Sequence, residues 1–211
     1  MVSDSLADLS LTAFADALAA KRSVPGGGAA AALAGALAAA LCSMVGEFTL
    51  GKRRYADVED DVRRMLGEAE RLRRRLVGLV DEAAAAFEPL SRAYGIPKED
   101  PVRPAALEEA TRAACAAPLE TMRQCAAAVE LLEEMGAKGS RMLLSDVGCG
   151  AELAAAALRS ASMNVFVNTR PFAGSAWAGD AEREARDLLG AYGPRADALA
   201  QGVARTLMGG E

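Results

Sequence analysis

Apolar positions recur at a helical period along almost the whole chain. The longest run places Val58, Val62, Met65, Ala69, Leu72, Leu76, Leu79, Ala83, Ala86 and Leu90 in alternating steps of four and three. That heptad-like seam predicts one long helix over 55–94, packed along much of its length. Pro89 predicts a kink in it, because proline removes a backbone donor and crowds the carbonyl four residues earlier.

Upstream, Leu6, Leu9, Phe14 and Leu18 mark an amphipathic N-terminal helix that ends near Lys21, where Ser23-Val24-Pro25 breaks the pattern. A central helix follows from about Gly28. It runs uncharged from Ala29 to Gly46 and is half alanine, so neighbouring elements can approach it closely. Gly46 and Gly51 bracket its end, and Thr49 to Arg54 read as a connector.

Downstream, "YGIPKEDPVRP" is a loop, its three prolines too close together for a helix. A helix from about Ala105 to Met135, bent at Pro118, comes next. "GAKGSRMLLSD" is a glycine-punctuated turn into a helix through "VGCGAELAAAALRSASMNVFVN". "TRPFAGSAWAGD" reads as loop, and Asp180 to Met208 as a last helix broken at Gly190 and Gly193-Pro194. These elements predict an all-α fold: one domain over 1–211, a bundle of about six to seven helices with one long kinked member. The seam predicts an obligate homodimer.

Composition narrows the chemistry. Hydrophobic residues make up 52% but aromatics only 4%, so alanine and leucine carry the core and helices are favoured over strands. A net charge of −5 argues against nucleic acid as a partner. Histidine is absent, which removes the commonest general base and zinc ligand; no metal site is expected. Cys42, Cys115, Cys125 and Cys149 form no C-x-x-C pair and read as small buried hydrophobes of a reduced, cytoplasmic protein. Asp4 and Asp8 stand where a signal peptide would carry basic charge. The neutral central stretch reaches membrane length, but its alanines and glycines suit a protein core better than lipid.

Several residues are candidates for a site. Gly26, Gly27 and Gly28 of "PGGG" either expose backbone N–H groups to an anion at a helix start or allow close packing; no Gly-Lys-Ser/Thr follows to make a Walker loop. "VGCG" at 147–150 lacks the preceding strand and third glycine of a dinucleotide fingerprint. Arg71 to Arg75 lie in register with Glu59–Arg63, Asp60–Arg64 and Glu70–Arg74 pairs and read as a solvated, ion-paired face. Lys52, Arg53 and Arg54, beside Tyr55, lack such compensation, so they either balance a helix C-terminus or meet an acidic ligand. Ser145 and Asp146 open an alanine-rich helix, where a carboxylate is usually an N-cap. Asp146, Gly150, Leu153, Ala157, Asn164 and Asn168 share a face on which Asp146 and Asn164 stand roughly 27 Å apart, too far for one small molecule unless another chain folds over. Asp81 and Glu88 flank the long seam.

Taken together, "VPGGGAAAALAGALAAALCSMVGEFTLGKRRYADVE", "DEAAAAFEPLSRAYGIPK" and "KGSRMLLSDVGCGAELAAAALRSASMNVFVNT" resemble the formiminotetrahydrofolate cyclodeaminase / methenyltetrahydrofolate cyclohydrolase family in order and spacing. The length and "FEPLSRAYGIPK" look more like the bacterial single-domain cyclohydrolases than the fused enzymes of animals. The resemblance implies an all-helical homodimer, with a tetrahydrofolate derivative as substrate and no permanently bound cofactor. It implies proton transfer by Asp146, assisted by Asp81 or Glu47. Lys52, Arg53 and Lys138 would meet the glutamate tail, with Gly26–Gly28, Tyr55, Ser145, Asn164 and Asn168 binding substrate. Cyclodeaminase activity, or folate binding without catalysis, are the alternatives. Two departures stand out: Ala83 and Ala29 occupy positions where family members often carry an acid and a serine. Glu47 stands where relatives often have asparagine.

Overall fold

The computed structural model describes residues 5–209, so Asp4 lies outside the described residues. Seven α-helices are present among them: α1 (Leu11–Ala19), α2 (Gly27–Glu47), α3 (Glu59–Ala85), α4 (Phe87–Gly95), α5 (Arg103–Lys138), α6 (Leu144–Thr169) and α7 (Ala176–Leu207). Short 3-10 turns at Leu6–Asp8, Arg53–Val58, Arg141–Leu143 and Arg170–Phe172 join them, and no strand occurs among the described residues.

Helix α2 lies between α3, α6 and α5. Its thinness is what lets them close in. A Cβ at Gly35 would come within 2.9 Å of the Cys125 sulfur, and one at Gly46 within 2.8 Å of Leu66. Gly150 on α6 receives Leu132 in the same way, and Gly148 receives Val203. Half of the apolar window in α2 is buried by these neighbours, which is the position of a core helix although its length and composition would also span a membrane.

The long seam is consumed inside the chain. Val62, Met65, Ala69, Leu76 and Leu79 are fully buried, and α3 packs on α2 and α5. The seam therefore does not supply a dimer interface, as its periodicity had suggested. The expected single helix over 55–94 is also divided. It starts as a 3-10 turn, and α3 ends at Ala85 before α4 begins at Phe87. The break falls at Ala85 because Pro89 has no N–H for that carbonyl.

Two other expectations change. Gly190 and Gly193-Pro194 do not break the last helix; α7 runs unbroken through them. Pro194 would crowd the carbonyl of Gly190, a residue in open space that can give way, and packing of α7 on α6 and α5 holds the rest. The "TRPFAGSAWAGD" loop shrinks to Arg170–Ser175, with Thr169 still in α6 and Ala176 already in α7. Of the four cysteines, Cys42, Cys115 and Cys125 are buried as expected, but Cys149 is exposed. Burial pushes the thiols of Cys42 and Cys125 up to about 12 and that of Cys115 up to about 11.

Candidate functional site

The candidate residues gather at two opposite ends of α2, roughly 30 Å apart for a helix of this length.

At the N-terminal end, Gly26 caps the helix and the first internal bond is Ala30 N–H to Gly26 carbonyl, at 3.1 Å. The N–H groups of Gly27, Gly28 and Ala29 are thus the unsatisfied donors of a helix start. They border a cavity of about 280 Å³ whose other walls include Asn164, Asn168, Phe87 and Ala83. Among the described residues no charged side chain lines it. A Cβ on Gly27 would stand 3.7 Å from the Asn164 amide, and one on Gly28 would stand 3.5 Å from Ala83, both ordinary contacts. Neighbour packing therefore does not demand glycine here, in contrast to Gly35 or Gly46. Asn164 donates to the Ser160 carbonyl at 3.0 Å, which leaves its amide oxygen as an acceptor. The methyl of Ala83 stands where an acid would enter the cavity, so this end holds amides, helix N–H groups and an aromatic ring but no proton-transfer group.

At the other end, Asp146 lies in the first turn of α6. It is not the N-cap; Leu143 takes that position. The half-buried Asp146 carboxylate makes no hydrogen bond or ion pair with the described residues and is favoured by the helix dipole. Ser145 beside it is exposed. Lys52, Arg53, Arg54 and Arg141 are exposed and form no ion pair among the described residues, although Arg54 lies over the Tyr55 ring at 5.8 Å. The Tyr55 hydroxyl accepts from the Arg141 N–H at 3.1 Å. That bond, with the positive charges of Arg54 and Lys52, holds its pKa below the usual phenol value. Thr49 ties the corner together, accepting from Ser140 N–H at 2.8 Å and donating to the Val45 carbonyl at 2.7 Å. The neighbouring Ser140 hydroxyl is buried without a partner.

Other candidates are engaged elsewhere. Asp81 accepts from Ser5 Oγ at 2.7 Å and from the Leu6 and Ala7 N–H groups at 2.6 and 3.4 Å, so it holds the N-terminal turn. Lys138 is clasped by Asp61 at 2.6 Å and Glu134 at 2.8 Å, which raise its pKa. Both side chains are thus already partnered within the chain. Glu88 pairs with Arg92 at 2.6 Å. Glu47 is exposed and is the last residue of α2, where the helix dipole disfavours a carboxylate. Arg73 and Arg74 pair with Glu70, and Arg75 with Glu82, as an ion-paired face requires. The expected Asp60–Arg64 pair does not form, because Arg64 reaches Glu68 and Glu134 instead.

Sequence reading missed Phe87 and Arg141, and took Pro118 only as a helix bend rather than as part of the cavity wall. Phe87, one of five phenylalanines, sits one step off the seam. Among the described residues no group of three or more Cys, Asp or Glu side chains is placed to hold a metal ion.

These features define a helical protein with a neutral, amide-lined cavity at one end and a free carboxylate beside unpaired cations at the other. The model of the formiminotransferase-cyclodeaminase family matches residues 10–187, and the chain belongs to that family. It is 40% identical over 184 residues to the methenyltetrahydrofolate cyclohydrolase of Methylorubrum extorquens, covering 85% of this chain and 88% of that protein. It is 35% identical to the formimidoyltransferase-cyclodeaminase of Rattus norvegicus over 79% of this chain, but spans only 31% of that longer protein. The crystal structure of formiminotetrahydrofolate cyclodeaminase from Thermotoga maritima superposes with a TM-score of 0.82 at 28% identity, over 93% of this chain and 98% of the other.

Proposed function

We propose that this protein is a methenyltetrahydrofolate cyclohydrolase, a single catalytic domain over 1–211 that opens 5,10-methenyltetrahydrofolate to 10-formyltetrahydrofolate. Family membership and similarity to the Methylorubrum extorquens enzyme along nearly its whole length support the reaction. The observation within the molecule that carries it is the division of labour between the two ends of α2. A pterin ring is flat, uncharged at neutral pH and edged with amide-like donors and acceptors, which suits a cavity of asparagine amides, helix N–H groups and Phe87. A glutamate tail suits Lys52, Arg53, Arg54 and Arg141.

The chemistry asks little else. Water adds to the carbon bridging the two nitrogens, giving a tetrahedral centre. The bond from that carbon to N5 then breaks, one proton ends on N5 and one leaves to solvent. Asp146, as a free carboxylate, takes the proton from water and returns it to the departing nitrogen. Lys138 and Asp81 have no direct part, and Glu47, Tyr55 and Ser145 stand at the Asp146 end.

One chain cannot bring Asp146 to its own cavity across roughly 27 Å. A homodimer solves this. The outer faces of α2 and α6 carry Leu37, Phe48, Met142, Met163 and Val167, all exposed, with Met142 86% and Met163 69% accessible. A second copy laid antiparallel over this face, about a twofold axis near its middle, sets its Asp146 end above the first copy's cavity. The four unpaired cysteines fit a reducing, cytoplasmic setting.

The runner-up is the cyclodeaminase reaction, favoured by the similarity to formimidoyltransferase-cyclodeaminases. Supplying formiminotetrahydrofolate and measuring ammonia separates the two. Ammonia release far slower than methenyl hydrolysis is expected, since the cavity offers Ala83 rather than an acid; equal rates would move the protein to the second reading.

A further inference from the structure

The wall of the cavity opposite Gly26–Gly28 is built differently from the rest of the bundle. It belongs to a helical hairpin, residues 87–114, made of α4, the loop after it and the start of α5. This hairpin has its own small core, Leu90, Ala93 and Ala110 with Ala106, Leu107 and Ala114, separate from the main one. The main core resumes at Cys115 on one strand of the hairpin and stops at Ala83 on the other.

Both boundaries coincide with backbone defects. On one side the helix is interrupted at Ala86, where Pro89 deprives the Ala85 carbonyl of its donor. On the other, Pro118 lies inside α5 and offers no N–H to the carbonyl of Ala114. Phe87 and Leu90 just beyond the first defect, and Ala114 and Pro118 at the second, all line the cavity. Two weak points at one level, beneath a unit with its own core, make a hinge.

Among the described residues, one side-chain hydrogen bond ties residues 87–114 to the rest of the molecule. Trp177 Nε1, at the start of α7, donates to Glu108 Oε1 at 2.9 Å. Trp177 is itself held against Phe172, ring centroids 5.5 Å apart. The other polar bonds of the hairpin are internal, such as Arg103 to the Ile96 carbonyl at 2.9 Å.

We propose that the α4–α5 hairpin is a hinged wall of the cavity, that it swings about Ala86 and Pro118 to press Phe87 and Leu90 onto a flat bicyclic ligand, and that Glu108 and Trp177 are positioning residues that set its resting place. The identity of the ligand rests on the folate reading; the hinge does not.

Hydrogen–deuterium exchange on the full-length protein tests both parts. Without ligand, 87–114 exchanges as one unit, faster than α3 or residues 119–138, with the step in protection at Ala86 and Pro118. Glu108→Gln, which keeps an acceptor, leaves this pattern near wild type, while Glu108→Ala speeds exchange in 87–114 alone by on the order of tenfold. Uniform protection across the two defects, or an equal response to E108A along all helices, overturns the hinge. Adding tetrahydrofolate then slows exchange in 87–114. Binding seen by calorimetry with no change there overturns closure while the folate reading stands. Absence of any binding overturns the folate reading and leaves the ligand-free arm to decide the hinge. In steady state, E108A raises KM more than it lowers kcat.

Discussion

At the scale of single residues, the glycines at the start of α2 and those along its length do different jobs. Gly35 and Gly46 are fixed by neighbours under 3.0 Å from any added Cβ, whereas a Cβ on Gly27 or Gly28 would meet only ordinary contacts at 3.5 Å and beyond. Gly28→Val is therefore expected to leave the fold intact by circular dichroism and melting, while its side chain fills the cavity and weakens tetrahydrofolate binding by about tenfold or more. The same substitution at Gly46 should instead lower the melting temperature, because Leu66 at 2.8 Å and the fully buried Met135 at 3.0 Å from the added Cβ would have to shift.

Tyrosine titration offers a test of the opposite corner. The Arg141 N–H bond lowers the pKa of Tyr55, while the Glu130 carboxylate, which accepts from the Tyr192 hydroxyl at 2.8 Å, raises that of Tyr192. As pH rises, Tyr55 should ionise before Tyr192 by ultraviolet difference absorbance, and Tyr55→Phe should remove the earlier of these two steps. Loss of the later step in that variant would contradict the arrangement.

At the scale of elements, the sequence carried the helices well and their partners poorly. The seam on α3 was plain in the spacing of Val62, Met65, Ala69, Leu76 and Leu79, yet nothing in that spacing says whether the partner is another chain or another helix of the same one. The structure gives it α2 and α5. Local rules also overestimated breaks, since Pro194 is carried within α7 by packing that a propensity argument does not see. Glycines, Asn164 and Asn168 were legible as candidates. That they share one cavity with Phe87, Ala114 and Pro118 was not, because those residues come from segments far apart in sequence and announce themselves only through contact. Of the two partners of Lys138, Glu134 was legible at i,i+4 on the same helix, while Asp61, on another helix, was not.

The face left bare by this packing makes an element-scale prediction. Leu37 on α2 and Met163 on α6 point outward, so Leu37→Glu together with Met163→Glu should produce a folded monomer by light scattering or sedimentation. A variant that sediments as wild type would contradict an interface on this face.

At the scale of the whole molecule, the proposed antiparallel pairing would make cyclohydrolase activity a property of two chains. Asp146→Asn and Gly28→Val damage opposite ends of the bundle, and with substrate held below the Gly28→Val KM each alone should be strongly impaired. Refolded together, half of the dimers carry one intact pair of ends, so about a quarter of wild-type activity should return. If each chain serves itself, mixing restores nothing.

The reaction itself is tested by following the loss of methenyltetrahydrofolate absorbance with the purified protein. Hydrolysis well above the buffer rate is expected, falling on the order of 10²-fold in Asp146→Asn, as loss of a proton-transfer group does. No acceleration over buffer by the wild-type protein would contradict the assignment.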